Sequence, residues 1–131
     1  MNHREDCAWE FSREAGQPIG IEITDDTLLF RIKLLKEEMQ EVEEAADVVL
    51  YEHCCGKGAS LRTRADLLKE LCDLQYVLSG LLVTFGFDKG FDEAFDRVHK
   101  SNLSKFPATK LPDGKVTKGP NYKPPYLEDL V

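Results

Sequence analysis

Two pairs of carboxylates recur at helical spacing in this chain. Glu38 and Glu41 lie within Glu37-Glu38-Met39-Gln40-Glu41, and Glu70 and Asp73 within Glu70-Leu71-Cys72-Asp73. Residues three apart on an α-helix share a face, so each pair projects its oxygens from one helix surface. Four carboxylates brought together across a helix interface repel unless a cation lies between them. Hard divalent cations such as Mg²⁺ take oxygen ligands and commonly arrive with a phosphorylated substrate. The pattern points to Mg²⁺-dependent chemistry on a nucleoside polyphosphate. A single such pair is more often a solvated face, and Glu43, Glu44 and Asp47 read that way. The repetition of the spacing in a second segment strengthens the metal reading, while a solvated face remains the commoner outcome for such pairs.

The elements that must position these groups are helices. The second predicted helix starts after Thr24-Asp25-Asp26, a cluster suited to capping and to the helix dipole. Its apolar positions Leu28, Ile32, Leu35, Met39, Val42, Ala46 and Val49 alternate four and three, and Gly56-Lys57-Gly58 ends it. The third is predicted from about Thr63-Arg64-Ala65-Asp66 to Gly86, with a seam at Leu67, Leu71, Leu74, Leu78 and Leu81. At 100° per residue, Glu38 and Glu70 lie roughly 60° from these seams, and Glu41 and Asp73 roughly 120°, on equivalent flanks. Antiparallel packing of the two helices would line one half-buried groove with all four.

A first helix is predicted over Arg4–Ala15. An extended stretch follows from Gln17 to Thr24, and a fourth helix spans about Asp88–Leu103 with Phe91, Phe95 and Val98 as its stripe. Beyond Ser104, Pro107, Pro112, Pro120, Pro124 and Pro125 forbid a long helix, and Asp113-Gly114 signals a hairpin turn. The expected architecture is all-α: one domain over 1–131, with a four-helix body to about 104 and a non-helical, proline-rich tail from 105.

The composition is that of a soluble domain, 42% hydrophobic and 31% charged, with a formal net charge of −7. The charge is uneven. Between Arg97 and Lys123 stand seven Lys or Arg residues against one acid, Asp113. An acidic body argues against nucleic acid spread over the surface, while a basic tail suits a small polyanion. No apolar run approaches a membrane span and no signal core opens the chain, so the expected address is cytoplasmic. The four cysteines, Cys7, Cys54, Cys55 and Cys72, form no zinc-type spacing and are expected to be reduced.

Glu37-Glu38-x-x-Glu41 followed by Glu70-x-x-Asp73 resembles the signature of the MazG-like nucleotide pyrophosphohydrolases, an all-α superfamily that includes phosphoribosyl-ATP pyrophosphohydrolase and the dimeric dUTPases. Val98-His99-Lys100-Ser101-Asn102-Leu103-Ser104-Lys105 and Gly119-Pro120-Asn121-Tyr122-Lys123-Pro124-Pro125 resemble its later blocks, and Phe11…Gly16-Gln17-Pro18 its first-helix ending. The resemblance implies a MazG-like bundle that hydrolyses a nucleoside triphosphate to monophosphate and pyrophosphate, with nucleotide-pool cleaning as the role. It implies Glu38, Glu41, Glu70 and Asp73 as ligands of Mg²⁺, with Mn²⁺ as a possible substitute. Glu37 matches an additional acid that could ligate or act as general base, and Glu41 joins it in the catalytic set. Asn102, Lys105, Asn121, Tyr122 and Lys123 are the substrate-side candidates. For Asn102 the bland alternative is a helix cap, and for the tail residues packing on the body or on a partner subunit. Trp9 and Phe11 could stack on a base or serve as core; His99 reads as structural.

Three other readings stand beside this one. A di-iron bundle needs Glu-x-x-His on two helices, and only Asp96-x-x-His99 comes near. Phosphoribosyl-ATP hydrolysis is the alternative within the enzyme class. A non-catalytic helical interaction module would use the acidic flanks only for solubility. Long leucine seams on so small a chain predict a homodimer or homotetramer.

Overall fold

The computed structural model describes residues 2–131. Among them are four α-helices, α1 (His3–Ala15), α2 (Asp25–Cys54), α3 (Leu61–Thr84) and α4 (Phe91–Leu103), and no β-strand. The all-α class is as expected. Two compact units divide the chain, Asn2–Gly86 with α1 to α3 and Phe87–Val131 with α4 and the tail.

Each helix of the first unit starts on a polar cap. Asn2 Oδ1 accepts from the Arg4 and Glu5 amides at 3.1 and 3.3 Å. Thr24 Oγ1 accepts from the Thr27 amide, and Ser60 Oγ from the Thr63 amide at 3.1 Å. Such caps each contribute about 1 kcal/mol. α3 therefore begins at Leu61 rather than near Thr63, because Ser60 supplies the cap. α1 ends at Gly16, whose φ of 66° reverses the chain and lets the Gln17 amide donate to the Ser12 carbonyl at 2.8 Å.

The segment between α1 and α2, expected to be extended, forms neither helix nor strand and bends at Gly20, whose φ is 64°. The Gly20 and Ile21 amides donate to the Val83 and Thr84 carbonyls at 3.0 and 2.9 Å. Those carbonyls belong to the last turn of α3; the segment satisfies that of Thr84 and shares that of Val83 with the Gly86 amide, at 3.3 Å. Leu82, Val83 and Phe85 are buried at this end, Ala8 is buried on α1, and Val42 is buried farther along α2. α1 is held to α3 by a buried Ser79 Oγ donor to Glu5 Oε2 at 2.8 Å and by an edge-to-face pair of Phe11 and Tyr76, ring centres 5.8 Å apart.

The α2 and α3 seams are only half covered. Val42 is buried and Leu35, Leu67, Leu74 and Leu81 are half-buried, but Ile32, Met39, Leu71 and Leu78 are exposed. The four-three alternation describes a stripe wider than the α2–α3 interface, and its outer half stays on the surface.

In the second unit a 3₁₀ turn, Phe87–Lys89, precedes α4, so α4 begins at Phe91 and not at Asp88. Arg97 ties α4 to the chain end. Its guanidinium donates to both carboxylate oxygens of Asp129 at 2.6 and 3.1 Å, to the Tyr126 carbonyl at 3.0 Å and to Glu93 at 2.9 Å. This fork holds the Asp129 carboxyl below its ordinary range. The tail is non-helical apart from a 3₁₀ turn at Glu128–Leu130. The expected hairpin turn is present: the Gly114 amide donates to the Leu111 carbonyl, Gly114 takes φ 92°, and Lys110 bridges Val116.

Candidate metal centre

α2 and α3 are joined by a short loop and run antiparallel, and the pairs along their interface show the register. Arg31 meets Gly80, Glu38 and Asp73 line one cavity, Glu41 and Glu70 line the next, and Glu52 bonds Thr63. At the end nearest the connecting loop, the Thr63 hydroxyl donates to Glu52 Oε1 at 2.6 Å and the Ser60 amide to Glu52 Oε2 at 2.9 Å. These bonds, Thr63's first, lower the Glu52 pKa from its usual value.

In that register Glu38, Glu41, Glu70 and Asp73 converge. One oxygen from each lies within 4.8 Å of the others, and all but Glu41 are half-buried. The side-chain oxygens Glu38 Oε2 and Glu70 Oε2 are buried without a hydrogen-bond partner. Buried carboxylate oxygens are costly when left unpaired. Four oxygen donors, two of them orphaned, fit a hard cation such as Mg²⁺ or Mn²⁺. The positive charge present at the rim is Lys69, 2.7 Å from Asp73 Oδ2 and 3.5 Å from Glu70 Oε1. The Asp73 hydrogen bond, then the two carboxylate charges, hold its ammonium above the usual pKa. Lys69 is exposed and reaches only the α3 pair, which leaves Glu38 and Glu41 uncompensated.

A cavity of about 500 Å³ opens beside Glu38 and Asp73. Its walls are largely apolar, from Ala8, Phe11, Leu34, Tyr76 and Val77, with Ser12, Gln17 and Arg31 as polar groups. Arg31 donates to Gln17 Oε1 at 3.1 Å.

The other predicted site residues are placed as follows. Glu37 is exposed on α2 and stands outside the four-carboxylate cluster. Asn102, Lys105, Asn121, Tyr122 and Lys123 all belong to the Phe87–Val131 unit. Asn102 is exposed in the last turn of α4, and its carbonyl accepts from the Lys105 amide at 3.2 Å. Lys123 is anchored by its backbone: its carbonyl accepts from Ser101 Oγ at 2.7 Å and its amide donates to Ser104 Oγ at 2.9 Å. Its side chain lines a groove with Arg97 and Lys100. Asn121 is exposed, and the Tyr122 ring carries the Lys118 ammonium 4.8 Å from its centre. Phe11 lines the cavity, whereas Trp9 is covered by Arg13.

Sequence reasoning missed Arg31 and Gln17. Arg31 stands seven residues before Glu38 on α2, which places both on one helix face. That spacing was the available signal.

The family model described as phosphoribosyl-ATP pyrophosphohydrolase matches residues 12–102, a stretch that contains the four carboxylates and Asn102 and stops before the tail. No curated protein matches the chain.

Proposed function

Because the chain belongs to the phosphoribosyl-ATP pyrophosphohydrolase family, we propose that it hydrolyses a nucleoside or deoxynucleoside triphosphate to the monophosphate and pyrophosphate. The observation that carries this reading is the convergence of Glu38, Glu41, Glu70 and Asp73, with two buried oxygens lacking a partner. Those four residues would hold Mg²⁺, with Mn²⁺ as a substitute. When bound, the ion supplies charge neutralisation at the phosphoryl oxygens and lowers the pKa of a coordinated water. Glu38, Glu70 and Asp73 orient their oxygens from two helices whose register is locked by Glu52 and Thr63. Glu41, the exposed member, has room to accept a proton from attacking water, and Glu37, four residues before it, is the second candidate base. Asn102, Lys105, Asn121, Tyr122 and Lys123 are proposed to serve the substrate's polar groups.

The exposed half-seam of Ile32, Met39, Leu71 and Leu78 supports a homodimer or homotetramer. No helix among the described residues is long and apolar enough to cross a membrane, which is compatible with a cytoplasmic enzyme cleaning the nucleotide pool. A second reading, phosphoribosyl-ATP as the substrate, is favoured by the description of the matching family model.

The test is a pyrophosphate-release screen over canonical and modified nucleoside triphosphates and phosphoribosyl-ATP, with Mg²⁺ and with chelator. Mg²⁺-dependent release from triphosphates supports the first reading, and release confined to phosphoribosyl-ATP supports the second. Absence of release from every substrate would leave a helical interaction module.

A further inference from the structure

We propose that Arg31 and Gln17 read the nucleobase, and that they select a base presenting a carbonyl oxygen over adenine. This inference rests on the nucleotide reading above and adds a substrate class to it.

Arg31 is only 4% exposed. Its guanidinium hydrogen bond goes to a neutral amide, Gln17 Oε1 at 3.1 Å, and its other close neighbour is the Phe30 ring at 5.8 Å. Among the described residues no carboxylate forms an ion pair with it. A buried cation without a counter-charge is costly, and one neutral amide oxygen leaves guanidinium hydrogens for an acceptor that arrives from outside. Gly80 keeps the place open: a Cβ there would stand 3.2 Å from Arg31 Nη1.

The cavity decides what arrives. Phe11, Tyr76, Leu34 and Val77 give it apolar walls, which suit a planar base and not a phosphate chain. Glu38 and Asp73 line it as well. Arg31 precedes Glu38 by two helical turns, roughly 10 Å of rise. A sugar and base extending from a metal-held phosphate cover that span.

The hydrogen-bond pattern decides which base. With Gln17 Oε1 occupied by Arg31, the Gln17 Nε2 hydrogens and the remaining guanidinium hydrogens face the ligand as donors. Guanine offers two adjacent acceptors, O6 and N7, and thymine or uracil a carbonyl O4. Cytosine offers O2 and N3 side by side, away from its N4 amine. Adenine's acceptors N7 and N1 each stand beside the N6 amine, a donor that would face donors.

The test uses the full chain with Mg²⁺ and nucleoside monophosphates, which carry no pyrophosphate bond, so that hydrolysis plays no part. Calorimetric titration with dGMP, dCMP, dTMP and dAMP should show the oxo-bases binding on the order of 10- to 100-fold more tightly than dAMP. Arg31→Met and Gln17→Met should each collapse that ratio towards one, with folding checked by thermal melting. Gln17 lies in a partly exposed loop, so its variant keeps the test decisive if Arg31→Met does not fold. Equal binding of all four overturns the proposal, as does a preference that survives in Gln17→Met. Loss of pyrophosphate binding in Arg31→Met, with base preference unchanged, assigns the guanidinium to phosphate and also overturns it. A separate Mg²⁺ hydrolysis panel keeps the two readings apart. Base-selective binding without turnover supports this inference and removes the catalytic reading. Turnover without base selection by Arg31 and Gln17 does the reverse.

Discussion

The Thr63 hydroxyl donates to Glu52 Oε1 at 2.6 Å, from the first turn of α3 to the last turn of α2. This bond lies at the loop end of an antiparallel helix pair, where a shift of one residue would carry through to every level below it. Glu41 with Glu70, Glu38 with Asp73, and Arg31 with Gly80 are the successive levels. Thr63→Val is expected to lower the melting temperature by a few degrees and to weaken divalent-metal affinity, although Thr63 touches no metal ligand. Unchanged metal affinity would show that the register is set elsewhere.

Glu52 also makes stability depend on pH. Its folded pKa lies below the ordinary value of 4.5, chiefly through the Thr63 hydroxyl. A depressed carboxyl contributes stability that is fully present above the unfolded pKa and is lost as pH falls through the folded one. The contribution should therefore fade below about 4.5. Melting curves from pH 6 to about 3 should fall less steeply for Glu52→Gln than for the parent.

The orphaned oxygens of Glu38 and Glu70 predict opposite effects in the two metal states. In chelator, Glu70→Gln removes one repelling charge and should melt at or above the parent temperature. With Mg²⁺ the parent should gain stability by mass action and the variant should not. Thermal melts of both proteins with and without Mg²⁺ check this.

Met39 and Leu71 are exposed on helices otherwise packed together. Met39→Lys with Leu71→Lys should shift the protein to a smaller species in sedimentation or light scattering if this face joins copies. An unchanged species would place the interface elsewhere.

Gly119 has no room for a side chain: a Cβ would overlap the carbonyl oxygens of Pro107 and Lys105. Gly119→Ala should detach the strap that the Gly119 amide makes to the Lys105 carbonyl. Limited proteolysis of the tail would accelerate, with the melting of the Asn2–Gly86 unit unchanged.

The carboxylate quartet was legible because helical spacing alone places Glu38 with Glu41 and Glu70 with Asp73. Their depth was legible too: flank positions off the Leu35 and Leu67 seams were expected to line a half-buried groove, and Glu38, Glu70 and Asp73 are half-buried, with Glu41 exposed. The apolar stripe on each helix is broad enough for two neighbours, and periodicity does not say which half meets which. The place of Arg31 on the Glu38 face was legible from the seven-residue spacing, but its burial was not. A lone arginine on a helix normally reaches to solvent along its stem. Its burial depends on the missing side chain of Gly80 and on Gln17, which lies in another segment. The cap at Ser60 was passed over because Thr63 and Asp66 offered a competing pattern three residues on.

Glu38, Glu41, Glu70 and Asp73 are proposed to hold a divalent cation. Titrating Mn²⁺ into the parent protein and into Glu70→Gln, followed by electron paramagnetic resonance, tests it most directly. Binding should be saturable in the parent, with competition by Mg²⁺, and should lose most of its affinity in the variant. Absence of saturable binding, or equal binding by both proteins, would contradict it.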